Sequence, residues 1–246
     1  MAKTTLLVDG DIILYKVAVN CEIVTDWGND FFTLHADLQQ AKEEVDVALS
    51  NLMTELNGVE MIISLSSPNN FRKDVLPSYK YNRKRTRKPV IFPPLKDYLR
   101  EVYEVVEFDG LEGDDVIGIL GTGYKELKGV PVLVSTDKDM KTIPCRLYNP
   151  EKSELGIVER SQEEADYYHL YQTLTGDATD GYKGCPGVGP KSAERLLINP
   201  VWDTVKTTYE NNGLTEEDAL VQARVARILR CSDFDRKKKE VILWNP

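Results

Sequence analysis

Acidic residues are where this chain gathers groups able to do chemistry. Leu111-Glu112-Gly113-Asp114-Asp115 places three acids in four residues, just ahead of the apolar run Val116-Ile117-Gly118-Ile119-Leu120. Acids in a first helical turn suit the macrodipole and cap free N–H groups, and that reading needs no chemistry. More acids fall where strands end. Asp9 and Asp11 follow the apolar run at 4–8, Asp137 and Asp139 follow Val132-Leu133-Val134, and Asp177 and Asp180 follow a helical stretch. Carboxylates crowded in this way repel one another and hold protons unless cations neutralise them. With only two histidines in the chain, the four clusters point to an all-oxygen site for hard divalent cations.

The formal charge of −9 argues against nucleic acid as a partner until its distribution is considered. The four clusters hold nine acids, and setting them aside brings the charge to zero. Eight basic residues lie between Arg72 and Lys88 (Arg72, Lys73, Lys80, Arg83, Lys84, Arg85, Arg87, Lys88) against the single acid Asp74. A second basic run is Arg236-Lys237-Lys238-Lys239. An acidic pocket beside basic arms suits a metal-dependent enzyme acting on phosphodiesters.

These groups need a scaffold. At 246 residues the chain can form one large domain, or a core with a smaller lobe. Its four cysteines are scattered without a C-x-x-C pair, which predicts reduced thiols, neither disulfides nor a zinc site. No signal-peptide stretch precedes Asp9, and no window nears the roughly 18 apolar residues of a membrane span, so a cytoplasmic protein is expected. Apolar runs predict strands at 4–8, 59–65, 105–108 and 131–135. Helical periodicity predicts helices at 12–19, 36–56, 96–105 and 112–127. Residues 22–34 read as a loop or irregular hairpin. Prolines 77, 89, 93 and 94 keep 72–94 from being one helix. The fold class expected is α/β, a mostly parallel sheet with helices on both faces and the acids at its carboxyl edge. From about Gln162 the pattern turns helical, at 162–174, 190–197 and 215–230, with the boundary placed near 150–160. This divides the chain into a core at 1–155 and a helical lobe at 156–246.

Gly181-Tyr182-Lys183-Gly184-Cys185-Pro186-Gly187-Val188-Gly189-Pro190-Lys191-Ser192-Ala193 is the most specific stretch. Its glycines permit a tight turn with positive φ, and Pro190 can start a helix. It suits a hairpin gripping a nucleic-acid backbone, or a plain corner between two helices. Asp177 and Asp180 just upstream favour the former.

Asp9, Glu112-Gly113-Asp114-Asp115, Asp137-Lys138-Asp139 and Thr175-Gly176-Asp177-Ala178-Thr179-Asp180 occur here in the order and spacing of the flap-endonuclease/5′-nuclease superfamily. The stretch at 181–193 resembles that family's helix–three-turn–helix, at about 175–198. Tyr79-Lys80-Tyr81-Asn82-Arg83-Lys84, with Ala226-Arg227-Ile228-Leu229-Arg230 and Leu243-Trp244, makes the chain most similar to the 5′→3′ exonucleases of T-seven-type short-tailed phages. The resemblance implies two Mg²⁺ or Mn²⁺ ions, the first on Asp9, Glu112 and Asp114. The second would lie on Asp114, Asp137, Asp139 and Asp177, with Asp115 and Asp180 in support and Asp11 further out. A K⁺ ion at the hairpin belongs to the same expectation. Lys80 and Arg83 would contact the scissile phosphate in a basic arch at about 72–94. Tyr15 is either a base-stacking aromatic or an ordinary core residue. Arg72, Lys73, Lys84, Arg85, Lys183, Gly187, Gly189, Lys191 and Ser192 complete the implied DNA contacts, while His35 and His169 are structural.

The activity implied is two-metal hydrolysis of duplex DNA from 5′ ends or flaps, extending to RNA of primer hybrids, in replication in a host cytoplasm. One position departs from the family. After the second strand, where an acid is usual, stands Ser66 or Ser67, with Ser67 the better match. The competing readings are therefore a DNA-structure-binding member with an impaired site, and a phosphatase using Asp9-Gly10-Asp11. The phosphatase motif wants Thr or Val where this chain has Ile13, and such an enzyme has no use for the glycine hairpin.

Overall fold

The computed structural model describes residues 2–123 and 126–246, with the side chains of Lys84 and Arg85 outside the description. In chain order the elements are β1 (Thr4–Asp9), α1 (Gly10–Cys21), β2 (Ile23–Asp26), β3 (Phe32–His35), α2 (Leu38–Glu55) and β4 (Gly58–Ser64). A short α3 (Arg72–Val75), α4 (Phe92–Val102), β5 (Val105–Val106), α5 (Gly113–Gly123) and β6 (Val130–Val134) follow. Then come β7 (Arg146–Tyr148), β8 (Ile157–Glu159), α6 (Gln162–Thr175), α7 (Pro190–Leu196), α8 (Trp202–Asn211), α9 (Glu216–Ala226), β9 (Phe234–Asp235) and β10 (Glu240–Val241).

Six strands form the central sheet in the order β5-β4-β1-β6-β7-β8, parallel except for β8, which runs against β7. This is the expected α/β class. The central strand β1 is buried along its whole length and has period-two sidedness. Leu6 and Val8 face the layer of α1, α2 and α4, meeting Leu14, Ala18, Val45, Leu49, Leu95 and Leu99. Leu7 faces the other way, into the layer of α5 with Ile117 and Leu120. Side chains set the helix starts. Asp9 caps α1, Asp37 caps α2, and Ser161 with Glu164 forms a reciprocal capping box on α6.

The structure adds elements that periodicity did not show. The short strands β7 and β8 extend the sheet, and α8 joins the helical layer. Residues 22–35 form a two-stranded antiparallel hairpin, whose exposed Trp27, Phe31 and Phe32 explain why it read as irregular. The helix expected at 112–127 is described over Gly113–Gly123, with 124 and 125 outside the described residues. The helical lobe packs around Leu174, Leu197, Val205 and Tyr209. It was expected over 156–246, yet Ile228, Leu229 and Phe234 return to the α5 layer. The approach is close enough that a Cβ on Gly118 would lie 2.4 Å from the Leu229 carbonyl. Among the described residues, no helix is long and apolar enough to cross a membrane.

Candidate active site

The carboxyl edge of the sheet collects the acids because β1, β4 and β6 are parallel neighbours and end together. Asp9 closes β1 and begins α1; its Oδ1 accepts from the Ile12 N–H at 3.2 Å and its Oδ2 from the Ser135 hydroxyl at 3.1 Å. Burial, then the charge of Asp11, pushes the Asp9 carboxyl up to about 6, although a hydrogen bond with Asp114 works against this. Asp114 is pushed well above the usual carboxylate range by burial, then by Asp9, Asp137 and Glu112. After β6, Asp139 rises to about 7 through burial and the charges of Asp137 and Asp180. Asp137 turns inward to accept the Asp139 N–H at 2.8 Å.

Lysines and arginines stand among these acids. The Lys80 ammonium lies 2.5 Å from Glu112 Oε1 and 3.5 Å from Asp180 Oδ2, and Arg83 lies 2.6 Å from Asp180 Oδ1. Burial alone would raise Glu112, but Lys80 and Arg72 override it and hold the carboxyl at about 2. The Tyr79 hydroxyl bridges Glu112 at 2.9 Å and Asp180 at 3.0 Å. Lys138 reaches Asp177 at 2.6 Å, so Asp177 stays below its usual range despite burial. Lys80 has a left-handed backbone, φ 52°, which costs a side-chain-bearing residue roughly 1–2 kcal/mol. Its N–H donates to the Asp180 carbonyl at 2.8 Å, which fixes the basic arm to the loop after α6.

Two sequence expectations need correction. Asp115 points away from the other acids into a buried pair with Arg72, Nη1 to Oδ2 and Nη2 to Oδ1 both at 2.7 Å. It also accepts from the N–H groups of Glu112 and Leu229, so four donors already fill it and a cation has no oxygen to take. Arg72 is 2% exposed and donates to the carbonyls of Val225 and Arg227 as well, which removes it from any DNA surface.

The remaining residues are placed as follows. Tyr15 is 45% exposed, with its ring edge on Phe92. Together with Lys73, Lys80, Arg83 and Glu112 it lines an open cavity of about 1120 Å³. A separate cavity of about 700 Å³, lined by Trp202, Trp244 and Arg227, holds none of the clustered acids; the acid in its lining is Asp166 of α6. Lys183, Gly187, Gly189 and Lys191 are exposed on the glycine hairpin, and Ser192 is half-buried. Lys84 and Arg85 have side chains outside the described residues. His169 is buried and donates to the Ala223 carbonyl at 2.8 Å.

Sequence reasoning missed three contributors. Gly176 and Gly184 pass so close that a Cβ on Gly176 would lie 2.3 Å from the Lys183 backbone, a requirement visible only once the loop closes. Lys96 reaches the Ser66 carbonyl at 2.9 Å and Asp11 at 3.3 Å. The Gln172 amide donates to Asp139 at 2.6 Å. Of the two candidate serines, Ser66 caps the start of α5, accepting from the Gly113 N–H at 2.9 Å, while its own N–H donates to Asp11 at 2.7 Å. Ser67 turns to Asp109 at 3.1 Å.

The donor set fits hard cations. All-oxygen carboxylates raised by mutual repulsion lose that penalty when a cation arrives. A void of about 10 Å³, near the size of a single water, is lined by Glu112, Asp114, Asp139 and Asp180 together with Lys80, Arg72, Tyr79 and Tyr182. Among the described residues, no three His, Cys, Asp or Glu side chains are already closed to ligand distance; Lys80, Arg83 and Lys138 pair with Glu112, Asp180 and Asp177.

This has a measurable consequence in chelator. Asp139 and Asp9 hold protons in the folded state that the unfolded chain releases near pH 4, so their stabilisation is complete below that and disappears as pH rises past about 7. His169 acts oppositely, because burial keeps it neutral down to about 3; it gains stability as pH rises to 6.5 and adds nothing above. Between pH 6.5 and 8 the metal-free protein should lose about 1 kcal/mol, or about 3 °C in Tm. Mn²⁺ should abolish the slope. A Tm in EDTA that is flat or rising over that window would contradict the assignment.

Fold and site together define a 5′-nuclease: an acid-lined edge of a parallel sheet facing a basic arm, with a glycine hairpin alongside. Residues 4–165 match the model of the 5′-3′ exonuclease N-terminal resolvase-like domain, and the chain belongs to the 5′-3′ exonuclease family. It is 30% identical to the exonuclease of Escherichia phage T7, over 99% of this chain and 94% of that protein. It is 29% identical to the exodeoxyribonuclease of Enterobacteria phage T3, over 99% and 93%. Among solved structures, the phage T5 D15 protein co-crystallised with metal ions superposes with a TM-score of 0.67 over 91% of this chain and 89% of that one. At 16% identity this likeness shows the fold alone.

Proposed function

We propose that this chain is a divalent-cation-dependent 5′→3′ exonuclease acting on DNA with free 5′ ends or flaps. The observation that carries the reading is the water-sized void lined by Glu112, Asp114, Asp139 and Asp180 beside Lys80. Asp9, Glu112 and Asp114 would hold one Mg²⁺ or Mn²⁺, and Asp114, Asp137, Asp139 and Asp177 a second, with Asp180 supporting. Bound there, the ions would lower the pKa of a water and neutralise a leaving oxygen.

The chain's own groups supply the rest. Lys80 and Arg83, now paired with Glu112 and Asp180, can turn to the phosphate once those acids are neutralised, and would stabilise charge developing on it. Tyr15 offers an exposed ring to the terminal base. Lys183 and Lys191 present charge to the backbone beyond, without reading bases.

The test is release of label from 5′-labelled duplex DNA. Release with Mg²⁺ and none in EDTA is expected; DNA bound yet never degraded would sink the reading. A second reading, an impaired DNA-binding member, draws on Ser67, which hydrogen-bonds to Asp109 and brings no carboxylate. Asp11, held by the Ser66 N–H on the same loop, favours the active reading because it returns an acid to that corner. Running Ser67→Asp in the same assay separates the two. Equal rates support the active enzyme, and activity confined to the variant supports the impaired one.

A further inference from the structure

We propose that Gln172 is a further member of the cation site, holding Asp139 through its amide nitrogen and offering its amide oxygen to a water carried by the ion. The inference rests on the reading of Asp139 as a cation ligand. Gln172 lies in the last turn of α6, is 3% exposed, and donates from Nε2 to Asp139 Oδ1 at 2.6 Å. Its Oε1 is buried without a hydrogen-bond partner. Two other buried side-chain atoms among the described residues share that condition, Asp11 Oδ1 and Arg146 Nε. Each of those lies beside an opposite charge, Lys96 at 3.3 Å and Glu159 at 3.1 Å. Gln172 Oε1 is left without a hydrogen-bond partner among the described residues.

An unsatisfied buried acceptor costs roughly 1–3 kcal/mol, which a leucine at the same helical position would avoid. A hydrated ion on Asp139 carries a donor able to satisfy this oxygen. An amide also suits the place electrostatically. It orients Asp139 without adding charge to a corner where Asp137 and Asp180 already repel that carboxylate. Ligand carboxylates are commonly tuned by such neutral hydrogen-bonding partners. Because α6 runs on into Asp177, which Lys138 bridges at 2.6 Å, Gln172 also helps link the 137–139 loop to the lobe bearing the glycine hairpin.

The experiment is calorimetric titration of Mn²⁺ into the metal-free full chain, for the parent, Gln172→Met, Gln172→Glu and Asp139→Asn. Gln172→Met should weaken one site by about 10- to 100-fold. The kcat on duplex DNA should fall with KM unchanged and recover in excess Mn²⁺, while DNA affinity in EDTA stays that of the parent. Gln172→Glu keeps the oxygen but loses the Nε2 donor to Asp139 and sets a further like charge beside it, so it should weaken the same site as well. A Gln172→Met isotherm identical to the parent's overturns the proposal while leaving Asp139 a ligand, provided Asp139→Asn loses the ion. If Asp139→Asn also binds normally, the ligand assignment falls and takes this proposal with it. Should Gln172→Met fail to fold, Gln172→Glu decides, and an isotherm there identical to the parent's counts against the proposal.

Discussion

Asp114→Asn is expected to lower kcat by about 1,000-fold, near 4 kcal/mol of transition-state stabilisation, while leaving DNA binding in EDTA intact. No other carboxylate here is assigned to both ions, and its own environment argues against a purely structural role. Burial and the charges of Asp9, Asp137 and Glu112 all make an ionised Asp114 unfavourable. Its removal should therefore raise the Tm of the metal-free protein while destroying turnover. A group kept for function at the expense of stability behaves in this way. Single-turnover assays beside thermal melts check both halves. An Asp114→Asn protein that is less stable and still active would show that the acid belongs to the fold.

Arg72→Met is expected to destabilise the protein by about 3–5 kcal/mol, because it strands Asp115 as a buried charge without its counter-ion. For a chain of this size that is a fall of about 10 °C in Tm. Arg72 joins four points, Asp115, Glu112 and the carbonyls of Val225 and Arg227, so the loss is not confined to one ion pair. Adding Asp115→Leu should recover part of it, since the uncompensated charge leaves while the apolar volume remains. Urea denaturation of the two single variants and the double measures the coupling. A cost below about 1 kcal/mol for Arg72→Met would mean that water reaches the pair and that it behaves as a surface bridge.

Much of this arrangement was legible because it obeys periodic rules. The acids at 9, 137 and 139 follow apolar strands, and a parallel sheet delivers such residues to one edge. What the linear pattern hid were partners distant in sequence. Glu112, Asp114 and Asp115 read as one cluster, yet successive residues on a helix diverge by about 100°, so Asp115 faces the buried side of α5 with Gly118 and Ile119. Arg72 reads as the first charge of a basic arm, and nothing in its local sequence marks it as buried. The role of Gln172 depends on a contact across 33 positions. Trp202 to Asn211 went unread as a helix because its buried face is only Val205, Thr208 and Tyr209.

The buried arginine also bears on how the protein is made. A ribosome releases Arg72 and Asp115 long before their remaining partners, since Val225 and Arg227 lie 153 and 155 positions after Arg72. Until then the Arg72 guanidinium lacks the two carbonyls it meets in the folded chain, and its burial is incomplete. The limit at residue 165 that marks the matched domain therefore leaves out part of the setting of its own buried arginine. A fragment cut there would keep every strand of the sheet and lack the backbone that makes its central ion pair tolerable.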